Sequence, residues 1–424
     1  MKSSKFLKFN TLLLMLAVSA SLIFLTCGFL RRLPKGVTVN GIDVGGKSRE
    51  EACEILRKDI VKNLKEKSLK IHGIKNEYIF TYPEINFKDN LPSLLSCAKR
   101  NGEYTASVSY YLNGISEISA YICEDESEEP TPPHAIFHAF GEPFEYVEGH
   151  DGYKADRVKL LSDIRASLSN NLEEVFVTVK PVKYSGTLEK VKRETKLLSA
   201  YTTYFDGTNT DRAHNIMLAA EQINGTVLLP GGAFSFNGTV GPRTSSRGFK
   251  SAKIIEKGEF VEGIGGGVCQ VSTTMYVAAV LAGCEITEFH PHSLAVGYVP
   301  PSFDAMVSGN YFDLKFENKT KKTMYIRAYT GENYVKFVIF GEGDGASYEL
   351  KSHISGSIAA PEELTEDETL VKDGRDGIIS EGYLPVTRGG ITRTVLLRKD
   401  KYAPLKRVVL NTAEEREEPL EEVQ

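Results

Sequence analysis

The segment GIGGGVCQVSTTMY, residues 263–276, decides how the central part of this 424-residue chain folds. Consecutive glycines allow positive φ angles and a close approach to neighbouring atoms. The residues that follow are largely apolar as far as Gly283, which predicts a buried helix that ends there. Cys269 would lie in the first turn of this helix, where free N–H groups and the helix dipole favour a thiolate. The segment therefore predicts a helix that begins beside a reactive cysteine.

Two histidines and two aspartates follow this helix along the chain. They are His290, His292, Asp304 and Asp313, the aspartates in strand-like surroundings. A cysteine at a helix start, then a histidine and then a carboxylate, is the order of a papain-like or transglutaminase-like site. His292 is preferred over His290 as the base, and either aspartate would orient the ring. The alternative is structural, with Cys269 a small buried residue, and residue types and spacing alone favour that alternative.

A second glycine-rich cluster, PGGAFSFN at 230–237 and VGPRT at 240–244, precedes the helix. Arg243 is a candidate anion contact because a guanidinium binds carboxylates or phosphates with two hydrogen bonds, and a structural ion pair is the alternative. The candidate substrate-binding residues are Gly265, Gly266, Gly267, Gln270, Ser272, Thr273, Arg243 and Ser293. No metal site is predicted, since the two histidines are two residues apart without an HExxH motif or an acidic ligand run. No cofactor is predicted either.

The N-terminus predicts export from the cytoplasm. An uncharged run at residues 11–30 follows three lysines, and its twenty residues would span about 30 Å, the thickness of a bilayer's hydrocarbon core. The preferred interpretation is an uncleaved signal-anchor, with residues 1–10 cytoplasmic and the bulk of the chain extracytoplasmic. A cleavable signal peptide and a lipoprotein anchored through Cys27 are the alternatives. We therefore expect a single-pass protein of the cell membrane.

The composition excludes several classes of protein. With 25% charged and 41% hydrophobic residues, the chain is neither disordered nor a polytopic membrane protein. The net charge is −5, and six glutamates crowd the last twelve residues, so no basic field remains that would favour nucleic acid. Six cysteines without a CxxC pair predict no dense disulfide framework, and any pairing among Cys53, Cys97 and Cys123 is left open.

The predicted fold class is α+β, with one transmembrane helix, several small α+β domains and a C-terminal all-β module. In the first domain, Ser48 and Glu51 are spaced as a capping box that opens a helix. The predicted domains are 36–123, a first α+β domain; 124–133, an acidic, Pro-rich, solvated linker; 134–190, a second small unit; 197–341, the domain with the motifs; 346–411, the β module; and 412–424, an acidic disordered tail.

The motifs, taken in order, resemble the VanW-like family, named from certain vancomycin-resistance clusters. The similar segments are PGGAFSFN, VGPRT, GIGGGVCQVSTTMY, HPHS at 290–293, YVPP at 298–301 and DLKFEN at 313–318. Residues 39–52 and 134–190 resemble the YoaR-like domain, to which peptidoglycan binding is ascribed, and 346–411 resembles more weakly the G-five module of cell-surface proteins. The family has no settled activity, so the resemblance implies a location and partners but no reaction.

Two main hypotheses of function follow, and a purely structural stalk that tethers partners at a distance is a third. The first is a membrane-anchored extracytoplasmic protein of the cell envelope that binds peptidoglycan or wall glycan and acts in cell-wall organisation or maintenance. The alternative is a cysteine-dependent amidase, peptidase or transpeptidase that acts on wall peptides through Cys269 and His292. The expected partners are the wall polymer and the membrane, with no nucleic acid.

Overall fold

The structure is a computed structural model that describes residues 32–256, 259–309 and 311–411. These residues form a mixed α+β fold with many small sheets, which confirms the general fold class. The predicted signal-anchor and the predicted acidic tail lie outside the described residues. No helix in the described ranges is long and apolar enough to cross a membrane. The described residues divide into two compact units, the first formed by 32–132 and 149–185 and the second by 133–148 and 186–411.

The helices and strands are short, and we number them in chain order. The helices are α1 (Arg49–Lys65), α2 (Leu91–Ser96), α3 (Ile115–Asp125), α4 (Arg157–Ser169), α5 (Leu188–Glu194), α6 (Thr210–Ile223), α7 (Phe236–Val240) and α8 (Val268–Leu281). The strands are β1 (Thr38–Val39), β2 (Ile42–Asp43), β3 (Leu69–His72), β4 (Glu77–Phe80), β5 (Ile85–Asp89), β6 (Glu103–Tyr104), β7 (Val108–Leu112), β8 (His134–Phe137), β9 (Phe144–Val147), β10 (Gly152–Ala155), β11 (Val175–Phe176), β12 (Val179–Val182), β13 (Lys196–Tyr204), β14 (Val227–Leu228), β15 (Ala233–Ser235), β16 (Ser251–Glu256), β17 (Glu259–Ile264), β18 (Glu285–Glu288), β19 (Lys315–Glu317), β20 (Met324–Thr330), β21 (Tyr334–Gly341), β22 (Ala346–Tyr348), β23 (Lys351–Ile358), β24 (Glu362–Thr365), β25 (Gly377–Arg388), β26 (Ile391–Tyr402) and β27 (Arg407–Leu410).

The first unit contains α1–α4 and small sheets such as β11-β3-β4. The predicted capping box is confirmed: the backbone N–H of Glu51 donates to Ser48 Oγ (3.1 Å), and the Ser48 N–H donates back to the Glu51 carboxylate (2.9 Å). The structure departs from the prediction of a solvated linker at Glu126, which is fully buried. Its carboxylate accepts hydrogen bonds from three consecutive backbone N–H groups of residues 74–76 and from the Tyr78 hydroxyl. A turn that offers several donors can hold a buried carboxylate, and a count of acidic residues does not reveal such a contact.

The second unit is built around helix α8. Nearly every residue of α8 is buried, because the helix has no charged residue and packs against β13 and β21. Polar side chains at this buried contact have partners. The hydroxyl of Thr274 on α8 lies 2.7 Å from that of Thr203 on β13, and Ser199 Oγ of β13 donates to the Ala278 carbonyl of α8 (2.7 Å). The antiparallel sheet β13-β21-β20-β14 and the sheet β15-β19-β18 complete this unit's central layers.

The C-terminal segment consists of strands β22–β27 and one 3-10 helix, Glu368–Leu370. Its longest element is the hairpin β25–β26. Leu384 in this hairpin belongs to the same hydrophobic core as α8, and Val386 and Leu397 pack against that core. The segment predicted as a separate β module therefore shares its core with the domain that carries the motifs.

Candidate active site

Three glycines shape the loop that leads into α8. Gly265 and Gly267 have φ angles of +87° and +103°, which side chains other than glycine rarely adopt. At Gly266 a Cβ atom would lie 2.6 Å from the backbone carbonyl of Ala252, so only glycine fits. These three predicted substrate-binding residues therefore have a clear structural role, which is to start α8 at Val268 and to place Cys269 in its first turn.

Cys269, His292 and Asp304 form an acid-base chain at the start of α8. The Cys269 thiol is partly exposed and donates to the Val307 carbonyl (3.3 Å), and the neighbouring His292 side chain lowers its pKa. On the far side of the ring, His292 Nδ1 lies 2.7 Å from Asp304 Oδ2, and the His292 backbone N–H donates to the same oxygen (2.7 Å). Because Nδ1 faces the aspartate, Nε2 is the ring nitrogen left for the thiol. His292 and Asp304 are 5% and 1% exposed, so water has access to this chain mainly at the sulfur.

The second oxygen of Asp304 is held from the C-terminal hairpin. The Tyr402 hydroxyl donates to Asp304 Oδ1 (2.5 Å), and Arg398 donates to the same oxygen (3.1 Å) and to the Asp304 carbonyl (2.6 Å). Arg398 also pairs with Asp400 at 2.6 Å. Sequence reasoning missed Arg398 and Tyr402 because they lie more than ninety residues beyond Asp304 in a segment without a motif.

The electrostatics of this chain favour a charged pair. Burial raises the pKa of Cys269, but the hydrogen bond and charge of His292, with a contribution from Arg243, lower it below its ordinary value. Burial also lowers the pKa of His292, but its hydrogen bonds with Asp304 and Cys269 outweigh burial and raise this pKa to about 9. Burial raises the pKa of Asp304, but His292 and Arg398 outweigh burial and lower this pKa below its ordinary value, so the carboxylate stays ionised. The site therefore favours the thiolate of Cys269 more than an isolated cysteine would, and it keeps the His292 ring protonated at neutral pH.

The structure places Asp313 and His290 outside this chain. Asp313 accepts hydrogen bonds from Ser235 Oγ (2.6 Å) and from the backbone N–H of Asn237 (2.8 Å), so it secures the start of α7. His290 Nε2 lies 3.1 Å from the Glu288 carboxylate. Of the two histidines and two aspartates considered from the sequence, His292 lies beside the cysteine and Asp304 binds His292, whereas the other two have different partners.

The remaining candidates mostly hold the site together. Ser272 Oγ donates to the Ala305 carbonyl (2.6 Å) and Thr273 Oγ1 accepts from the Ala305 N–H (3.0 Å), which fixes the backbone next to Asp304 against α8. Gln270 is buried, and its amide donates to a hydroxyl and a carbonyl of β13. The side chain of Ser293 is exposed.

A cleft of about 320 Å³ lies beside these residues. It is lined by Tyr204, Phe205, Asp206, Asn209, Arg212, Gln270, Gly297 and Tyr298. Burial lowers the pKa of the Arg212 guanidinium, and its interactions with the Tyr298 hydroxyl and the Cys269 thiol partly offset this. Sequence reasoning did not single out Arg212, because in the amphipathic pattern of α6 it resembles any exposed arginine.

Comparison with known proteins agrees with this arrangement of motifs. Residues 211–340 match the family described as VanW like protein. The chain contains a VanW-like domain. The chain is 39% identical over 186 residues to the uncharacterized protein YoaR of Bacillus subtilis, and the aligned region covers 43% of this chain and 61% of YoaR. It is 28% identical over 121 residues to the vancomycin B-type resistance protein VanW of Enterococcus faecalis, which covers 27% of this chain and 44% of that protein.

The chain therefore spans less than two thirds of the length of either relative. No solved structure shows significant similarity to it. Cys269, His292 and Asp304 lie inside the VanW-like match, whereas Arg398 and Tyr402 lie beyond its end at residue 340.

Proposed function

We propose that the VanW-like domain is a cysteine-dependent acyl-transfer enzyme. Cys269 is the nucleophile, His292 the general base and acid, and Asp304 the group that orients the imidazole. The observation that carries this proposal is the position of His292 at the start of a buried helix, beside the Cys269 thiol, whose pKa it lowers, and with its Nδ1 atom 2.7 Å from Asp304 Oδ2. A histidine placed between a thiol and a carboxylate is the arrangement that activates a cysteine nucleophile.

The proposed reaction proceeds in two steps. The Cys269 thiolate attacks the carbonyl carbon of an amide, the C–N bond breaks, and the imidazolium of His292 gives its proton to the departing amine. The product of this step is a thioester between the acyl group and Cys269. His292 then takes a proton from water or from an acceptor amine, which attacks the thioester and restores the thiolate and the imidazolium. Water gives hydrolysis and an amine gives transfer.

The first turn of α8 supplies electrostatic help for this chemistry. The N–H groups of Val268 and Gln270 donate to the carbonyls of Gly265 (3.1 Å) and Gly267 (2.9 Å), so the help comes from the helix dipole, whose positive end lies at Cys269. The positive end of a helix dipole stabilises the negative charge that develops on the carbonyl oxygen during attack. The nucleophile and the helix start are therefore positioned by the same glycine loop.

The setting of the reaction is proposed from the sequence. The apolar run at residues 11–30 supports a membrane anchor, with the two units on the extracytoplasmic side. The substrate would then be an amide in a cell-wall peptide, and the resemblance to the YoaR-like and G-five modules supports binding of peptidoglycan or wall glycan by the flanking segments. The geometry at Cys269 favours an enzyme over a binding scaffold for the VanW-like domain.

The proposal is tested with the full-length protein in detergent and purified peptidoglycan fragments, with the products followed by mass spectrometry. We expect cleavage or exchange of a peptide amide, and a loss of about a thousandfold or more in rate for Cys269→Ser. Cys284→Ala is the matched control. This cysteine is buried in the core, where its thiol contacts Met324, and it has no role in the proposed reaction.

Two results would contradict the enzyme. If the wild-type protein binds the fragments without any turnover, a binding role stands. If Cys269→Ser turns over the fragments as fast as the wild type, the nucleophile lies elsewhere. A thioester adduct on Cys269, trapped by acid quenching, would support the first step directly.

A further inference from the structure

Two arginine side chains pack against the glycine loop that precedes Cys269. A Cβ atom at Gly265 would lie 3.0 Å from Cβ of Arg243, and one at Gly267 would lie 3.0 Å from Cγ of Arg212. Arg212 comes from α6 and Arg243 from the segment after α7, so they reach the loop from different elements. The absence of side chains at these glycines lets both arginines approach the start of α8.

Both guanidinium groups are held by neutral partners. Arg212 Nη2 donates to the Gln270 amide oxygen (2.7 Å), and Arg243 Nη2 donates to the Asn237 amide oxygen (2.6 Å). Arg243 also stacks over the Phe236 ring, 5.6 Å from its centre. Within residues 32–256, 259–309 and 311–411, neither forms an ion pair with a carboxylate.

Partial burial of these two charges is unfavourable. It lowers the pKa of both guanidinium groups, the charge of Cys269 acts on each of them in the opposite direction, and Asp313 does the same for Arg243. A half-buried guanidinium that is hydrogen-bonded to no carboxylate leaves N–H donors for an anion, and its planar fork fits a carboxylate with two hydrogen bonds. Both guanidinium groups therefore retain donors for an anion close to Cys269.

We infer that Arg212 and Arg243 form a carboxylate-binding subsite around Cys269, so that the substrate of the proposed enzyme is an acidic peptide with a free carboxylate close to the bond that breaks. This inference rests on the proposed function and specifies its substrate class. The cleft of about 320 Å³ that Arg212 lines has room for one such residue.

The one carboxylate that lines the cleft does not oppose this inference. Asp206 is exposed, and its Oδ1 accepts hydrogen bonds from the Thr208 N–H (2.9 Å) and hydroxyl (2.7 Å). Arg212 is the more buried of the two charges, so the inner part of the cleft is positive.

The test compares alkylation of Cys269 by iodoacetate and by iodoacetamide in the full-length protein at pH 7, measured by peptide mapping. The two reagents share a leaving group and consume the same thiolate, so the ratio of their rates cancels any change in the fraction of thiolate. What remains is the attraction of the site for a carboxylate. The variants are Arg212→Gln, Arg243→Gln and the charge-conserving Arg212→Lys, with Arg393→Gln as control because Arg393 is exposed on β26.

We expect the ratio of the iodoacetate rate to the iodoacetamide rate to fall about tenfold in Arg212→Gln and in Arg243→Gln, since a hydrogen bond to a charged group is lost in each. The ratio should fall less in Arg212→Lys and stay unchanged in Arg393→Gln.

An unchanged ratio in both Arg212→Gln and Arg243→Gln, with Cys269 still reactive, overturns the inference but does not contradict the proposed enzyme. Equal slowing of both reagents overturns it too, because Arg212 would then act only by holding Gln270. If Cys269 resists both reagents in the wild type, the proposed function fails and the inference fails with it.

Discussion

At the scale of single residues, the state of Cys269 depends on His292. Burial alone would raise the pKa of the thiol, and His292 reverses that effect. We therefore predict that iodoacetamide alkylates Cys269 in the wild type with an apparent pKa below the ordinary value of 9.0. In His292→Ala the two largest interactions that lower the pKa of Cys269 are lost while burial remains, so the apparent pKa should rise relative to the wild type. Rates measured from pH 5 to about 10 with peptide mapping decide this.

The same titration tests the imidazolium. Because the pKa of His292 is raised to about 9, the ring stays protonated through neutral pH and loses its proton only near that value. A second inflection of the alkylation rate near pH 9 is therefore expected in the wild type and should be absent from His292→Ala. A single inflection at the ordinary pKa of a cysteine in both proteins would mean that the thiol and the ring do not interact.

The residue types alone could identify the site's members only in part. The sequence pattern indicated Cys269 and His292 together with one of two aspartates, and no rule of spacing decides which of the two aspartates orients the histidine. The structure separates them because Asp313 is occupied by Ser235 and Asn237, whereas Asp304 has one oxygen directed at His292. Which carboxylate orients the ring depends on side-chain directions that the sequence does not encode locally.

At the scale of elements, the loop before α8 requires glycine for packing as well as for its φ angles. Gly266→Ala would place a Cβ atom 2.6 Å from the Ala252 backbone, which cannot move aside as a flexible side chain would. We predict that this substitution lowers the free energy of unfolding by about 1–3 kcal/mol, measured by urea denaturation. Gly297→Ala is the matched control, because no atom lies within 4 Å of its Cβ position and its φ is not positive, so its stability should stay near that of the wild type.

Helix α8 was predictable because its signals are local. The glycines, the apolar run and the stop at Gly283 lie within about twenty residues, and the helix ends at Leu281, close to the expected end. The contacts of the helix were not predictable in the same way, because β13 and β21 lie far away in the sequence. Glu126 shows the same limit in the first unit, since a run of acidic residues gives no sign that one of them is buried under a turn.

At the scale of the whole molecule, the second unit completes its candidate site with strands that lie outside the VanW-like match. Arg398 and Tyr402 on β26 donate hydrogen bonds to Asp304. The hairpin β25–β26 also contributes Leu384 to the hydrophobic core around α8. The sequence placed β26 in a separate module, since strands that pair locally give no indication of which core they cover. We therefore expect the VanW-like match on its own to contain Cys269, His292 and Asp304 but to lack the two side chains that hold the second oxygen of Asp304.

Tyr402→Phe tests this dependence with the smallest change. The substitution removes the hydroxyl that donates to Asp304 Oδ1 and accepts from the Ser302 N–H (2.8 Å), and both partners are buried. Because a hydrogen bond to a buried charge is lost, we predict a decrease of about 1.5–3 kcal/mol in the free energy of unfolding and slower alkylation of Cys269 at pH 7. Tyr311→Phe is the control, because Tyr311 is 85% exposed. Equal stability and equal alkylation rates in both variants would show that the C-terminal hairpin covers the site without supporting Asp304.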